Sequence, residues 1–452
     1  FVGRDRQGDR FDTALFVMDL ESGRERIVYR DLDRDMQETW AVQGVYPNFA
    51  WTPDSASIVF WAGGGLHRVD VESGAVSDVP FRVEDTRTAV EPPRFTIDVA
   101  PDEVRSRMPR FARIAPDGGS AIFESFGRLW IRRLPDGEPR RLTRDRDDAF
   151  ELFPAFSPDG DRIVFVRWTD AGLSQIHVVD ADGGHSRQIT DRPGHYRQPR
   201  FSPDGDMLVF ERAAGGYLTP PEWSLAPGIY RMPASGGEMV RLTDGGRDPH
   251  VAADGQRVYL TADGPGGEQH AHELISVDLN GADRRVHATS NYASRIEVSP
   301  GGRWIAFREN YHVYVMPMPP GGKLDLTRDA KAVPLARATT AGGEFLSWVD
   351  GDTLAWTLGP ELYRADTAAL FPPPAEPEAD DEPRRGRPVA TLSVTRPADK
   401  PSGTVALTNA RIVTMNDDDR VIEAGTVLLR DNRIVAVGTP EAVTVPGDAQ
   451  RV

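Results

Sequence analysis

The chain has 452 residues, 39% of them apolar, with 43 glycines, 37 prolines, no cysteine and a formal net charge of −16. Such a length allows about two to four domains or one repeat array, and the missing thiols exclude disulfides and thiolate metal centres. The acidic balance, with pI ≈ 5.1, speaks against a nucleic-acid partner, which needs a basic face. No apolar run approaches the ~18 residues that cross a bilayer, so no membrane span is expected.

The opening FVGRDRQGDR begins inside strand-like sequence, with neither a methionine nor an apolar leader. We therefore expect the chain to be a piece of a longer one. With the absent cysteines, this suits a periplasmic or secreted location. Residues 1–30 supply three short strands: FVGRD, ALFVMDL and RERIVYR.

One cassette then recurs: WTPDSASIVFW, IAPDGGSAIFE, FSPDGDRIVFV, FSPDGDMLVFE, VAADGQRVYLT, VSPGGRWIAFR and WVDGDTLAWTL. Its turn residues are Asp54, Asp117, Asp159, Asp204, Asp254, Gly301 and Asp350, spaced 63, 42, 45, 50, 47 and 49 apart. That spacing suits four short strands per propeller blade. Asp and Gly supply the backbone angles of a tight hairpin. Alternating apolar residues such as Ile163, Phe165 and Leu208, Phe210 follow with the period of a strand. A third strand ends in a second turn, as in VVDADGGHSRQIT, and the fourth closes on Leu-Thr or Ile-Thr. One such sheet cannot bury its faces alone, whereas radial stacking can.

This pattern of FSPDG, IVF, VVDADGG and QIT resembles the TolB-type propeller family over about residues 1–370. The implied fold is all-β: a propeller of four-stranded blades followed by part of a small β-sandwich. Residues 1–30 supply the second to fourth strands of a blade, and residues 345–366 the first to third. Both ends thus carry second and third strands and cannot share one blade. A ring of seven or eight blades, with partial blades at both ends, is expected.

Antiparallel order puts first-to-second and third-to-fourth strand turns on one face, and the remaining connections on the other. The second face carries the long loops, where binding sites are usually built. The candidate residues for a substrate or domain-docking face are Glu38, Trp40, Tyr46, His195, Tyr196, Tyr217, Trp223, His270 and His272, with Asp147 and Asp148 beside them. The competing reading is that they cover the propeller rim. His270 and His272 form a His-x-His, a spacing that can face one metal from a strand end. Ordinary surface histidines in a Gly-rich loop fit equally, so no metal ligand is assigned; His195 and His250 would share that face. There is neither a Gly-x-Ser-x-Gly elbow nor a Walker-type phosphate loop.

Residues 371–403 read as a Pro-rich linker, FPPPAEPEADDEPRRGRP, with a lead-in strand. Residues 404–452 then carry β-branched runs around Val405, Ile412, Val427 and Ile434, with a hairpin turn at Asp431–Asn432. Asn409, Ala410, Arg411 and Ile412, then Gly425, then Asp431, Arg433, Ile434, Ala436 and Gly438, resemble the leading strands of the amidohydrolase superfamily of metal-dependent hydrolases. The resemblance implies half of a small β-sandwich whose other strands follow a (β/α)8 barrel. That barrel, on the same polypeptide or a second chain, would be the partner, and zinc or another divalent metal is expected in it. No residue here maps to the family's metal histidines, bridging lysine or catalytic aspartate. No catalytic residue, metal ligand or cofactor is therefore assigned to this chain.

The expected function is that of the propeller portion of a metal-dependent amidohydrolase, hydrolysing C–N bonds of an amide, cyclic amide or small peptide-like substrate. The propeller would gate or select that substrate. The alternative is a non-catalytic cell-envelope propeller that binds proteins. A propeller fused to a serine peptidase is the weaker third reading, disfavoured by the 404–452 module.

Overall fold

The computed structural model describes residues 1–7, 10–32, 48–90, 101–145, 148–214, 226–264, 272–372, 386–415 and 420–452. Among these, every named element but the single helical turn Thr367–Leu370 is a β-strand. The chain divides into two compact units, Phe1–Ile97 and Asp98–Val452.

The first unit holds two antiparallel sheets. One has three strands, Val2–Gln7, Arg10–Met18 and Glu25–Tyr29; the other has four, Phe49–Trp51, Ser57–Ala62, Gly65–Asp70 and Val76–Val79. Leu15, Val28, Ile58, Phe60 and Val69 form their shared core.

In the second unit each remaining cassette builds one sheet of four antiparallel strands, one of them joined by a short parallel fifth. The innermost strands are Arg110–Ile114, Phe150–Phe156, Tyr196–Phe201, Arg247–Val251, Arg295–Val298 and Glu344–Trp348. Each packs beside the next, and the last returns to the first, so among the described residues six blades close a ring. Continuous apolar runs such as Ile163–Val166 and Leu208–Phe210 leave both faces of these sheets apolar, and a separate core fills every gap between neighbouring blades. Ala112, Ile114, Ala121 and Phe123 of the first blade meet Ala355, Leu362, Leu392 and Val394 at the closing gap.

The all-β propeller of four-stranded blades is as expected, but the count of seven or eight blades is corrected to six for this ring. Cassettes can be counted in a sequence, but the site of closure depends on which sheets pack together. The sheet of the first cassette lies in Phe1–Ile97. The last blade is also not partial. Its fourth strand, Arg387–Thr391, comes from beyond the proline-rich stretch and pairs with Glu361–Asp366. Thr395–Pro397 then pairs with Glu103–Arg105, and Ser106 and Val394 exchange backbone and hydroxyl bonds at 2.8–2.9 Å. This segment is the seam between the last and first blades.

The repeated residues have local reasons. In Ser-Pro-Asp-Gly, the Ser157 hydroxyl accepts the Arg162 N–H at 2.9 Å and donates to Asp159, and Ser202 does the same for Met207 and Asp204. The threonine closing a blade accepts an N–H from the third strand: Ile176 to Thr190 at 3.0 Å, Val313 to Thr339 at 3.1 Å. Each hydroxyl extends a ladder that the backbone alone would leave open.

Residues 404–452 form a four-stranded sheet in the order Arg433–Gly438, Val421–Arg430, Thr404–Val413, Gln450–Arg451. The hairpin turns at Asp431, whose φ is 53°. One face buries Ala406, Leu428 and Val443. The other carries the cross-strand row Leu407, Val427 and Val437, with Leu429 and Ile434 beside it. Leu407, Ile434 and Val437 are exposed there.

Candidate functional site

The ring encloses a central channel, and one backbone irregularity shapes it. Five innermost strands carry a residue with positive φ at the same place, six residues before the turn Asp in four of them: Phe111, Phe153, Gln198, Asp248 and Phe345. Their φ angles run from 49° to 56°, a region that side-chain-bearing residues seldom occupy. At each the pairing to the second strand slips, as in a β-bulge, which re-aims a side chain out of the ladder. Arg295 takes the corresponding position in the fifth blade, whose pairing is regular.

These six residues make a waist that is aromatic on one side and polar on the other. The Phe111 ring lies 4.4 Å from that of Phe153 and 5.2 Å from that of Phe345, centre to centre. Opposite them, Arg295 Nη1 donates to Asp248 Oδ1 at 2.9 Å and to Gln198 Oε1 at 3.4 Å. Only about 20 Å³ remains open beside the waist.

A cavity of about 570 Å³ opens on the long-loop side. Arg308 pairs there with Glu344, and Arg247 Nη2 lies 2.9 Å from His272 Nδ1. Glu211 is different: no hydrogen bond reaches its carboxylate among the described residues, and burial, opposed by Arg197, pushes its pKa up to about 7. His195 lines the same cavity, its pKa lowered by burial and then by Arg197. A carboxyl group poised near neutrality beside a neutral imidazole can accept an N–H or exchange a proton with a bound molecule.

Below the waist lies a second charged layer. Glu297 accepts from Arg200 and Arg295 at 2.5 Å each, and its pKa is lowered far below the usual range by these guanidiniums against the opposing effect of burial. His250 is buried with both ring nitrogens engaged: Nδ1 donates to the Asp248 carbonyl and Nε2 accepts the Val298 N–H, each at 3.0 Å. Burial holds it neutral, with a pKa near 4.

Of the residues singled out in the sequence, His195 and Tyr196 meet at the long-loop cavity. Tyr196 is mainly a core residue: its hydroxyl donates to the Arg192 carbonyl at 2.8 Å and its ring packs edge-on to Phe210. His272 starts the strand His272–Asp278 and is engaged by Arg247. Glu38, Trp40, Tyr46, Asp147, Tyr217, Trp223 and His270 lie outside the described residues. Asp148 is bound by Arg167 at 2.5 Å. His250 does not share the face of His195 as expected: it lines the cavity on the other side of the waist, with both ring nitrogens engaged. Among the described residues no group of three His, Asp or Glu could hold a metal ion.

Glu211, Arg197 and the waist were not singled out from the sequence. The available signal was the recurring Phe-Pro, Gln-Pro and Asp-Pro at one cassette offset, at Phe153, Gln198 and Asp248.

Residues 115–315 match the family model described as the TolB beta propeller domain. This stretch is similar to the TolB-type β-propeller domain. Solved structures similar to the chain include TolB from Acinetobacter baumannii, 17% identical over 70% of this chain and 75% of that one, with a TM-score of 0.36. An oligogalacturonate lyase in complex with manganese is 12% identical over 81% and 96%, with a TM-score of 0.44. The oligogalacturonate lyase of Vibrio parahaemolyticus is 9% identical over 78% and 96%, with a TM-score of 0.42. A search of curated proteins found no match. No helix among the described residues is long and apolar enough to cross a membrane.

Proposed function

We propose that the chain is the propeller portion of a metal-dependent amidohydrolase that cleaves C–N bonds in an amide, cyclic amide or peptide-like substrate. The observation that carries this reading is the sheet of residues 404–452. It buries one face on Ala406, Leu428 and Val443, while its other face exposes Leu407, Ile434 and Val437. A two-sided apolar sheet is half of a sandwich, and a covering sheet is what the amidohydrolase resemblance supplies. The metal, zinc or another divalent ion, belongs in this reading to the barrel. Its role there is to activate water at neutral pH. Periplasmic or secreted location remains part of the proposal.

The propeller selects substrate through the long-loop cavity. Glu211 and His195 read the amide N–H, while Arg197 balances the carboxylate. The experiment is hydrolysis of dipeptides and cyclic amides by the full-length protein, with and without Glu211→Gln. Selection by the cavity requires KM to rise several-fold with little change in kcat. Unchanged KM for every substrate removes the cavity from the account. The alternative, a protein-binding propeller of the cell envelope, is favoured by the same exposed sheet only where a separate protein covers it.

A further inference from the structure

The cavity on the opposite face, about 420 Å³, is a funnel of different character. Its rim is made by the turn prolines Pro116, Pro158, Pro203 and Pro300, and its walls by Phe156, Phe201, Val251, Val298 and Val349. At its inner end sit Arg113 and Arg200. Arg113 occupies the place in the first blade that Arg200, His250, Glu297 and Ser347 occupy in the third, fourth, fifth and sixth.

Hydrogen-bond supply and demand do not match in this layer. Glu297 already accepts from Arg200 and Arg295, Asp248 accepts from Arg295, and both nitrogens of His250 are engaged. Three guanidiniums thus face two carboxylates, leaving one positive charge. No hydrogen bond or ion pair reaches the guanidinium of Arg113 from any described residue; it is held only in the field of Glu297, Asp248 and the two neighbouring arginines. The Nε of Arg200 is buried and has no partner. The Arg113 guanidinium and the Arg200 Nε can both donate, and no described acceptor bonds either. Buried polar groups are normally satisfied, so a surplus of donors beside a cavity marks the place of an absent acceptor. A charge-assisted bond to an anion would satisfy the guanidinium best. The apolar walls would gain nothing from an inorganic ion but would bury a hydrocarbon body.

We propose that this funnel binds a monocarboxylate with an apolar body, its carboxylate on Arg113 with help from Arg200, and its body between the proline rim and Phe156 and Phe201. The site lies on the side of the waist away from the long-loop cavity and does not depend on the amidohydrolase reading. Guanidinium and carboxylate form parallel donor–acceptor pairs, which sets a carboxylate apart from an alcohol of the same shape.

Titration calorimetry of the whole chain with 4-phenylbutyrate, 4-phenyl-1-butanol and inorganic phosphate tests this. The acid should bind at least tenfold tighter than the alcohol and than phosphate. Arg113→Gln should bring the acid down to the level of the alcohol. Equal binding of acid and alcohol, phosphate binding as tight as the acid, no binding of the acid, or full binding by Arg113→Gln would each overturn the proposal. Should Arg113→Gln not fold, the comparison of acid with alcohol on the unmodified chain decides alone.

Discussion

Arg200 and Glu297 are joined across the channel, from innermost strands with a whole blade between them, Nη2 donating to Oε1 at 2.5 Å. Glu297 also holds Arg295, so a single carboxylate ties the third and fifth blades together and offsets the charge of the ring.

Removing that carboxylate should therefore be much worse than removing a guanidinium. Glu297→Gln leaves Arg113, Arg200 and Arg295 facing only Asp248. We expect a loss of about 3–5 kcal/mol, the usual effect of breaking a buried pair and leaving charge behind. Arg113→Gln, by contrast, should be neutral or mildly stabilising, since burial and Arg200 already push the Arg113 guanidinium down to about 9. Urea denaturation of the two variants, compared with the unmodified chain, checks the contrast; equal losses would contradict it.

Glu211 and two buried histidines predict opposite pH slopes. Glu211 has its pKa raised to about 7 by burial, so the folded chain holds this proton more tightly than the unfolded one. Its contribution to stability is present below the unfolded carboxyl value and is lost as pH rises through about 7. Glu211→Gln should remove that loss and raise stability at pH ~8 by about 1–3 kcal/mol. Chemical denaturation at several pH values gives the comparison.

His177 and His250 work the other way. Burial holds both near 4. The unfolded chain takes up protons at about 6.5, so stability should fall as pH drops from about 6.5 to 4. A stability curve flat over that interval would contradict the neutral, doubly bonded His250.

The seam makes a prediction at a glycine. Gly386 enters the last strand with no room for a side chain: a Cβ there would lie 2.0 Å from the Trp356 ring and 3.0 Å from the Arg364 carbonyl. Gly386→Ala should displace the strand Arg387–Thr391, with a loss of about 1–3 kcal/mol from overpacking. Hydrogen exchange should rise at Leu362 and Tyr363, the residues that this strand pairs with.

Much of this fold was legible because each blade is a local event. Asp159 and Asp204 mark hairpins through bonds to residues two apart, and Phe165 or Phe210 mark strands by alternation. Closure was not legible, because it rests on contacts such as Phe123 with Leu392, far apart in sequence and with no local pattern. The long-loop face was found from strand direction, and it does hold His195. Glu211 and Phe111 escaped notice because their roles arise from burial and from a bulge. A glutamate or phenylalanine in a strand carries no sign of either.

The most direct test of the account is metal-dependent C–N bond hydrolysis by the full-length protein. Hydrolysis of a dipeptide or cyclic amide that stops on chelation and returns with zinc is the predicted result. A metal-loaded full-length protein that cleaves none of these bonds, or one whose cleavage ignores the chelator, would contradict it.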